Sequence, residues 1–99
     1  MPAYVISEVR ILDEDLIHNY RDRAAASIEK YGGRYLVRSG AVELVEGERD
    51  RDRQFIIVEF PDMAKAREWY RSPEYAAALE FRYAALDRTL VFAEGVGEG

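Results

Sequence analysis

The chain has 99 residues, 14 Lys plus Arg against 19 Asp plus Glu, a formal charge of -5, no cysteine and a single histidine. That length holds one domain, and the missing thiols exclude disulfides, thiolate nucleophiles, iron–sulfur clusters and zinc–thiolate centres. One histidine argues against a dedicated transition-metal site, and the acidic balance argues against binding a phosphate backbone. No apolar run is long enough to span a bilayer. Met1-Pro2-Ala3 leads straight into strand-like sequence without the basic and apolar segments of a secretory signal, so the cytoplasm is the expected compartment.

Residues 3–11 alternate, with Ala3, Val5, Ser7, Val9 and Ile11 on one face and Tyr4, Ile6, Glu8 and Arg10 on the other, which predicts a strand. Asp13 suits a helix N-cap, and Leu16, Ile17, Tyr20, Ala24, Ile28 and Tyr31 form the apolar stripe of a helix over 14–31. Gly32 falls where a left-handed helix end favours glycine. Residues 34–38 and 41–46 are strand-like runs split by Ser39-Gly40, either one long bent or bulged strand or a tight hairpin. The alternating acids and bases of 47–53 read as a solvated turn.

The stretch 54–75 organises the rest. β-Branched and aromatic residues run from Gln54 to Phe60, and Pro61, which lacks an N–H, ends the ladder. Asp62 caps a helix over 63–70, and Ser72-Pro73-Glu74 starts a second helix running to about Leu86. A strand over 89–94 follows, and residues 96–99 read as a flexible tail behind a single domain of residues 1–95. Strand, helix, strand, strand, helix pair, strand is the order of an α+β, ferredoxin-like βαββαβ domain: a four-stranded antiparallel sheet with helices on one face. Tyr4, Ile6, Phe55, Ile57, Leu90 and Phe92 fall on one set of alternating positions, and Val5, Val9, Ile56, Val58, Phe60 and Val91 on the other. Both faces are too apolar for water, so the helix-free face is expected to pack on a second copy of the chain.

Four stretches, AYVISEV, YGGRYLVRSGAVELVEG, IIVEFPDMAKAREWYRSPEY and FRYAALDRTLVFAEG, resemble the successive signatures of the bacterial family called domain of unknown function 1330. The resemblance spans essentially the whole chain; Ser39-Gly40 departs from a common double glycine, which bears on the bend there. It implies the dimeric α/β-barrel arrangement, in which two ferredoxin-like sheets pack together with helices outside. It brings no catalytic residues, because the family has no established activity.

Arg82 falls seven residues after Tyr75 on the last helix, amid Ala78, Leu79 and Leu86. A guanidinium in an apolar stripe pairs with a carboxylate such as Glu59, snorkels past the helix edge, or holds the carboxylate or enolate of a ligand. Glu8 and Glu59, expected side by side on parallel strands, could form a carboxylate pair for acid–base chemistry, or could pair with Arg10, Arg38 or Arg82. Tyr20, Trp69, Tyr70 and Tyr75 could line an aromatic pocket or simply form core. His18 lies opposite the apolar stripe of its helix, an exposed position, and the glycines of the tail precede no helix and make no phosphate cradle.

The resulting expectation is a homodimer, with no cofactor and no metal, that binds a small anionic or aromatic molecule in a cleft between helices and sheet. Arg38, Glu59, Trp69, Tyr75 and Arg82 are the candidate ligand-binding residues. The alternative, drawn from the wider superfamily, is a cofactor-independent oxygenase or isomerase. RNA binding through Tyr4 and Phe55 on the sheet is a third reading, opposed by the negative charge and by the dimer that would cover them.

Overall fold

The computed structural model describes residues 1–97. Strands β1 (Ala3–Ile11), β2 (Arg34–Arg38), β3 (Gln54–Phe60) and β4 (Leu86–Glu94) form one sheet in the order β2-β3-β1-β4, with α1 (Glu14–Lys30), α2 (Met63–Tyr70) and α3 (Pro73–Ala85) against one face. This is the ferredoxin-like α+β arrangement expected from the element order.

The helix starts follow from their caps. Asp13 Oδ1 accepts from the backbone N–H of Asp15 and Leu16, Asp62 Oδ1 from Lys65, and Ser72 Oγ from Tyr75, each satisfying an N–H that the first helical turn leaves unpaired. Pro73 occupies the first turn of α3, so α2 and α3 run in different directions across Arg71 and Ser72. Gly32 ends α1 at φ 81°, and Gly33 then passes so close to the core that an added Cβ would lie 2.7 Å from Phe60. Only a residue without a side chain lets α1 turn into β2 at this point.

Every strand pair is antiparallel. This corrects the expected parallel pairing of β1 and β3: in the split βαβ unit the two parallel strands are β1 and β2, and β3 runs between them in the opposite sense. Tyr4 therefore faces Glu59, and Glu8 faces Phe55. The two carboxylates lie four residues apart along the ladder, about 13 Å, so no carboxylate pair forms.

The register also corrects the faces assigned to β4. Phe92 pairs with Val5, Leu90 with Ser7 and Arg88 with Val9, all on the helix-covered face, whereas Val91 pairs with Ile6 on the open face. The strand begins at Leu86, three residues earlier than expected, because the chain passes from the last turn of α3 directly into extended backbone while the Ala85 carbonyl accepts from Leu12 and Asp13.

Residues 41–46 are not a strand. Ser39 takes a left-handed φ of 57° and turns the chain away from β3, which leaves 41–46 without a strand partner among the described residues. Neither the long bent strand nor the tight hairpin expected about Ser39-Gly40 forms; β2 instead carries a bulge at Leu36, between Tyr35 and Val37. Residues 47–53 are less solvated than their composition suggests. Arg10 pairs with Asp52 at 2.9 Å, Arg53 with Asp87 at 2.8 Å, and the half-buried Arg49 guanidinium lies 4.7 Å over the Phe55 ring. Val96 and Gly97, in the expected tail, carry no secondary structure; Glu98 and Gly99 lie outside the described residues.

The core fills the space between the helix layer and the sheet, with Val5, Val9, Ile17, Ala24, Val58, Phe60, Trp69, Tyr75, Ala78 and Leu86 buried. Phe60 and Tyr75 are fully enclosed; truncating such an aromatic to Ala costs about 3–5 kcal/mol.

A candidate ligand cavity between helices and sheet

Packing on this side of the sheet is incomplete. A cavity of about 320 Å³ opens between α1 and the helix-covered face, with Val5, Val9, Ala24, Ile28, Val58 and Leu90 among its apolar walls. Trp69 supplies an aromatic wall, and the three arginines Arg21, Arg38 and Arg88 are among the lining residues. Among the described residues no Asp or Glu side chain lines it.

Each polar group arrives by a traceable route. Arg88 projects inward because alternation along β4 places it in line with Leu86 and Leu90. Tyr20 comes from the buried stripe of α1, and Tyr75 from the first turn of α3, just behind the Ser72 cap. Arg88 Nη1 donates to the Tyr20 hydroxyl at 2.5 Å and Nη2 to the Tyr75 hydroxyl at 2.7 Å, and the two hydroxyls are 2.6 Å apart. Trp69 is fixed by its indole N–H, which donates to Ser27 Oγ at 3.0 Å, and its ring centroid lies 4.2 Å from that of Tyr75. Ser27 in turn donates to the Ala24 carbonyl.

The electrostatics of this cluster are one-sided. Burial pushes the Tyr75 phenol well above its usual value, so it is a neutral hydroxyl at physiological pH. Burial opposes the charge on Arg88, but the Tyr20 and Tyr75 oxygens outweigh it, and the guanidinium is held protonated. Burial also raises the Tyr35 phenol at the β2 side of the cavity. Among the described residues no carboxylate pairs with Arg88. A half-buried cation whose partners are all neutral keeps capacity for an anion.

Of the residues singled out in the sequence, Arg38, Trp69 and Tyr75 come together. Trp69 and Arg38 line the cavity, Arg38 from an exposed position with its guanidinium 4.4 Å over the Tyr35 ring, and Tyr75 stands behind it through Arg88. Glu59 and Arg82 do not join them. Glu59 is on the open face, bonded to Arg34 at 2.8 Å, because its neighbours Val58 and Phe60 point inward and side chains alternate along β3. Arg82 points away and stacks 4.5 Å over the exposed Tyr83 ring near the end of α3. Glu8 lies 3.8 Å from Arg49. His18 is exposed.

Arg88 was missed, although its signal is present in the sequence: Leu86, Arg88, Leu90 and Phe92 alternate once the strand is allowed to start at Leu86. Among the described residues no helix is long and apolar enough to cross a membrane, and no group of three or more His, Asp or Glu side chains could hold a metal ion.

The fold is shared with several solved structures. A protein of unknown function from Rhodopseudomonas palustris superposes with a TM-score of 0.76 at 22% identity, over 98% of this chain and 84% of that one. SnoaB, a cofactor-independent oxygenase from Streptomyces nogalater, gives 0.68 at 15% identity, over 98% and 95% of the two chains. A dimeric protein of unknown function with a ferredoxin-like fold, from Bacteroides fragilis, gives 0.62 at 14% identity, over 95% and 96%. No curated protein matches the sequence. The sequence match that assigns a family covers residues 2–96, nearly the whole of the sheet and helices just described, and by it the chain belongs to the domain of unknown function (DUF1330) family.

Proposed function

We propose that this single domain works as a homodimer and that each copy binds a small anionic aromatic molecule in the cavity between α1 and the sheet. The observation that carries the ligand reading is Arg88: a half-buried guanidinium that, among the described residues, is bonded to two phenol hydroxyls and no carboxylate, and that faces an apolar space lined by further arginines and no described acid. Two phenols that both accept from Arg88 share one proton between them, so one hydroxyl hydrogen is left to donate to a ligand oxygen. The volume suits one or two fused rings, and Trp69 and the aliphatic side chains supply apolar contact for them.

The dimer reading rests on the open face of the sheet. Ile6, Ile57 and Phe55 form a contiguous apolar surface with Val91, and Val91 is 48% exposed. Burying such a face against its own copy is the symmetric solution. The Bacteroides fragilis neighbour, described as dimeric, supports this reading.

Titration with 1-hydroxy-2-naphthoate tests the site, read through the fluorescence of Trp69, the only tryptophan in the chain. Saturable quenching is expected in the native protein, with affinity at least about tenfold weaker in Arg88→Met, since a charge-assisted hydrogen bond contributes roughly 1.5–3 kcal/mol. Equal affinity in both proteins would remove Arg88 from the site.

A second reading, a cofactor-independent oxygenase or isomerase, is favoured by the same residue, because a cation beside a phenol donor in an apolar cavity lowers the energy of an enolate or phenolate. Oxygen uptake or isomerisation with a panel of hydroxyaromatic compounds, lost in Arg88→Met, would support it over simple binding.

A further inference from the structure

The connection from β2 to β3, residues 39–53, has two unlike halves. The second half is anchored: Arg53 donates to the Glu8 carbonyl and to Asp87, Arg49 to the Arg53 carbonyl, and Asp52 pairs with Arg10. The first half has no such anchor beyond Ser39. Every residue from 40 to 48 is exposed, and no backbone hydrogen bond joins residues 41–48 to any other described residue. Its composition is wrong for a free loop. Ala41, Val42, Leu44 and Val45 are apolar, and Val45 is 83% exposed, Leu44 42% and Val42 41%. β-Branched residues at this density favour a strand, and a strand's backbone groups need a partner.

The chain's own sheet supplies a partner edge that is out of the segment's reach. β2 is a poor template, being five residues long and interrupted by the bulge at Leu36. β4 is a good one: its nine residues pair with β1 in unbroken register, no proline or bulge blunts it, and its outer edge is unpaired. Yet β3 and β1 stand between β2 and β4 of the same chain.

We infer that residues 41–46 form a fifth strand, added to the outer edge of β4 in a second copy of this chain. Under a twofold axis each copy lends its arm and receives the other's, so both straight edges are covered and two apolar arms leave water together. The arm is continuous with the face proposed for the dimer, because Arg49, where the arm returns, lies over Phe55 on the open side of β3. The inference rests on the homodimer reading and adds how the two copies are joined.

The test uses the full chain and one pair of substitutions, Val42→Pro with Leu44→Pro, which removes two N–H donors that no backbone hydrogen bond uses among the described residues of its own subunit. Sedimentation equilibrium gives the dimer dissociation constant, and hydrogen exchange gives protection at 41–46 and along 86–94. In the native protein, amides of 41–46 should be protected at concentrations that hold the dimer and should exchange at loop rates on dilution. In the proline variant the dissociation constant should rise roughly 10- to 100-fold, and the outer amides of β4 should lose protection while β1 and β3 keep theirs. A native dimer with unprotected 41–46 and an unchanged constant in the variant would overturn the arm and leave the face-to-face dimer standing. A native monomer at all concentrations would overturn both.

Discussion

Tyr20 and Tyr75, 55 residues apart in sequence, meet hydroxyl to hydroxyl at 2.6 Å inside the helix layer, and both accept from Arg88. The three groups tie α1, α3 and β4 together with neutral oxygens around one positive charge. Removing a hydroxyl from this set leaves a donor on Arg88 without its acceptor, which costs more than the mean value of a hydrogen bond.

Tyr75→Phe is therefore expected to lower stability by about 1–3 kcal/mol with little change of fold. Tyr20→Phe should cost less, because Tyr20 borders the cavity and water can replace its hydroxyl. The double variant should depart from additivity by roughly 0.5–3 kcal/mol, since the two hydroxyls share a partner as well as each other. Urea denaturation of the four proteins measures the coupling, and simple additivity would show that the short contact carries no energy.

Gly33→Ala is expected to destabilise by about 1–3 kcal/mol, because its Cβ would lie 2.7 Å from Phe60 Cε1 and 2.8 Å from Ile28 Cγ2, both in the packed core. Gly40→Ala meets nothing within 4 Å and serves as the matched control. Thermal melting distinguishes them, and equal midpoints would mean that Phe60 can move aside without cost.

The features that local chemistry dictates were legible in the sequence, and those that depend on a distant neighbour were not. Asp13, Asp62 and Ser72 each announce a helix start, since a cap needs only the next three residues. The helix period put Arg82 beside Tyr75, but α3 ends at Ala85, and the residue that reaches the Tyr75 hydroxyl is Arg88, carried inward by a strand that begins without a loop. Residues 41–46 have strand composition and no strand, because pairing requires a regular edge and the nearest one, β2, is five residues long and bulged. Glu8 and Glu59 were misjudged for a different reason: the antiparallel sheet expected from the element order already sets β3 against β1, and in that sense the two carboxylates fall far apart along the ladder.

Glu74 links α3 to the end of α1, with its carboxylate accepting from Lys30 at 2.5 Å and from the Tyr31 hydroxyl at 2.8 Å. Those two bonds lower its pKa from 4.5 to about 2. A carboxylate whose folded pKa is depressed contributes stability that is fully present above its unfolded value and is lost as pH falls through its folded one. Glu74→Gln should accordingly narrow its stability gap to the native protein between pH 4.5 and about 2, and show a constant gap above that window. Denaturation midpoints across pH 2–7 provide the check; a gap that does not change with pH would mean the pair contributes nothing through its charge.

The open face of the sheet makes the sharpest demand on assembly. Val91 is 48% exposed and lines up across β1 and β3 with Ile6 and Ile57, so a charge at this position lies at the β4 border of the apolar surface. In a single copy Val91→Asp removes little packing, and the melting of a monomer would change only slightly, within about 0.5 kcal/mol. In a dimer that buries this face, the carboxylate of each copy would be desolvated, a cost of several kcal/mol that the association has to overcome. The expected outcome is a folded monomer by circular dichroism and light scattering at concentrations where the native protein is a dimer. A variant that stays dimeric with native affinity would show that the copies meet elsewhere. A variant that unfolds outright would mean that neither subunit is stable alone, which refolding at raised protein concentration would reveal as a concentration-dependent melting point.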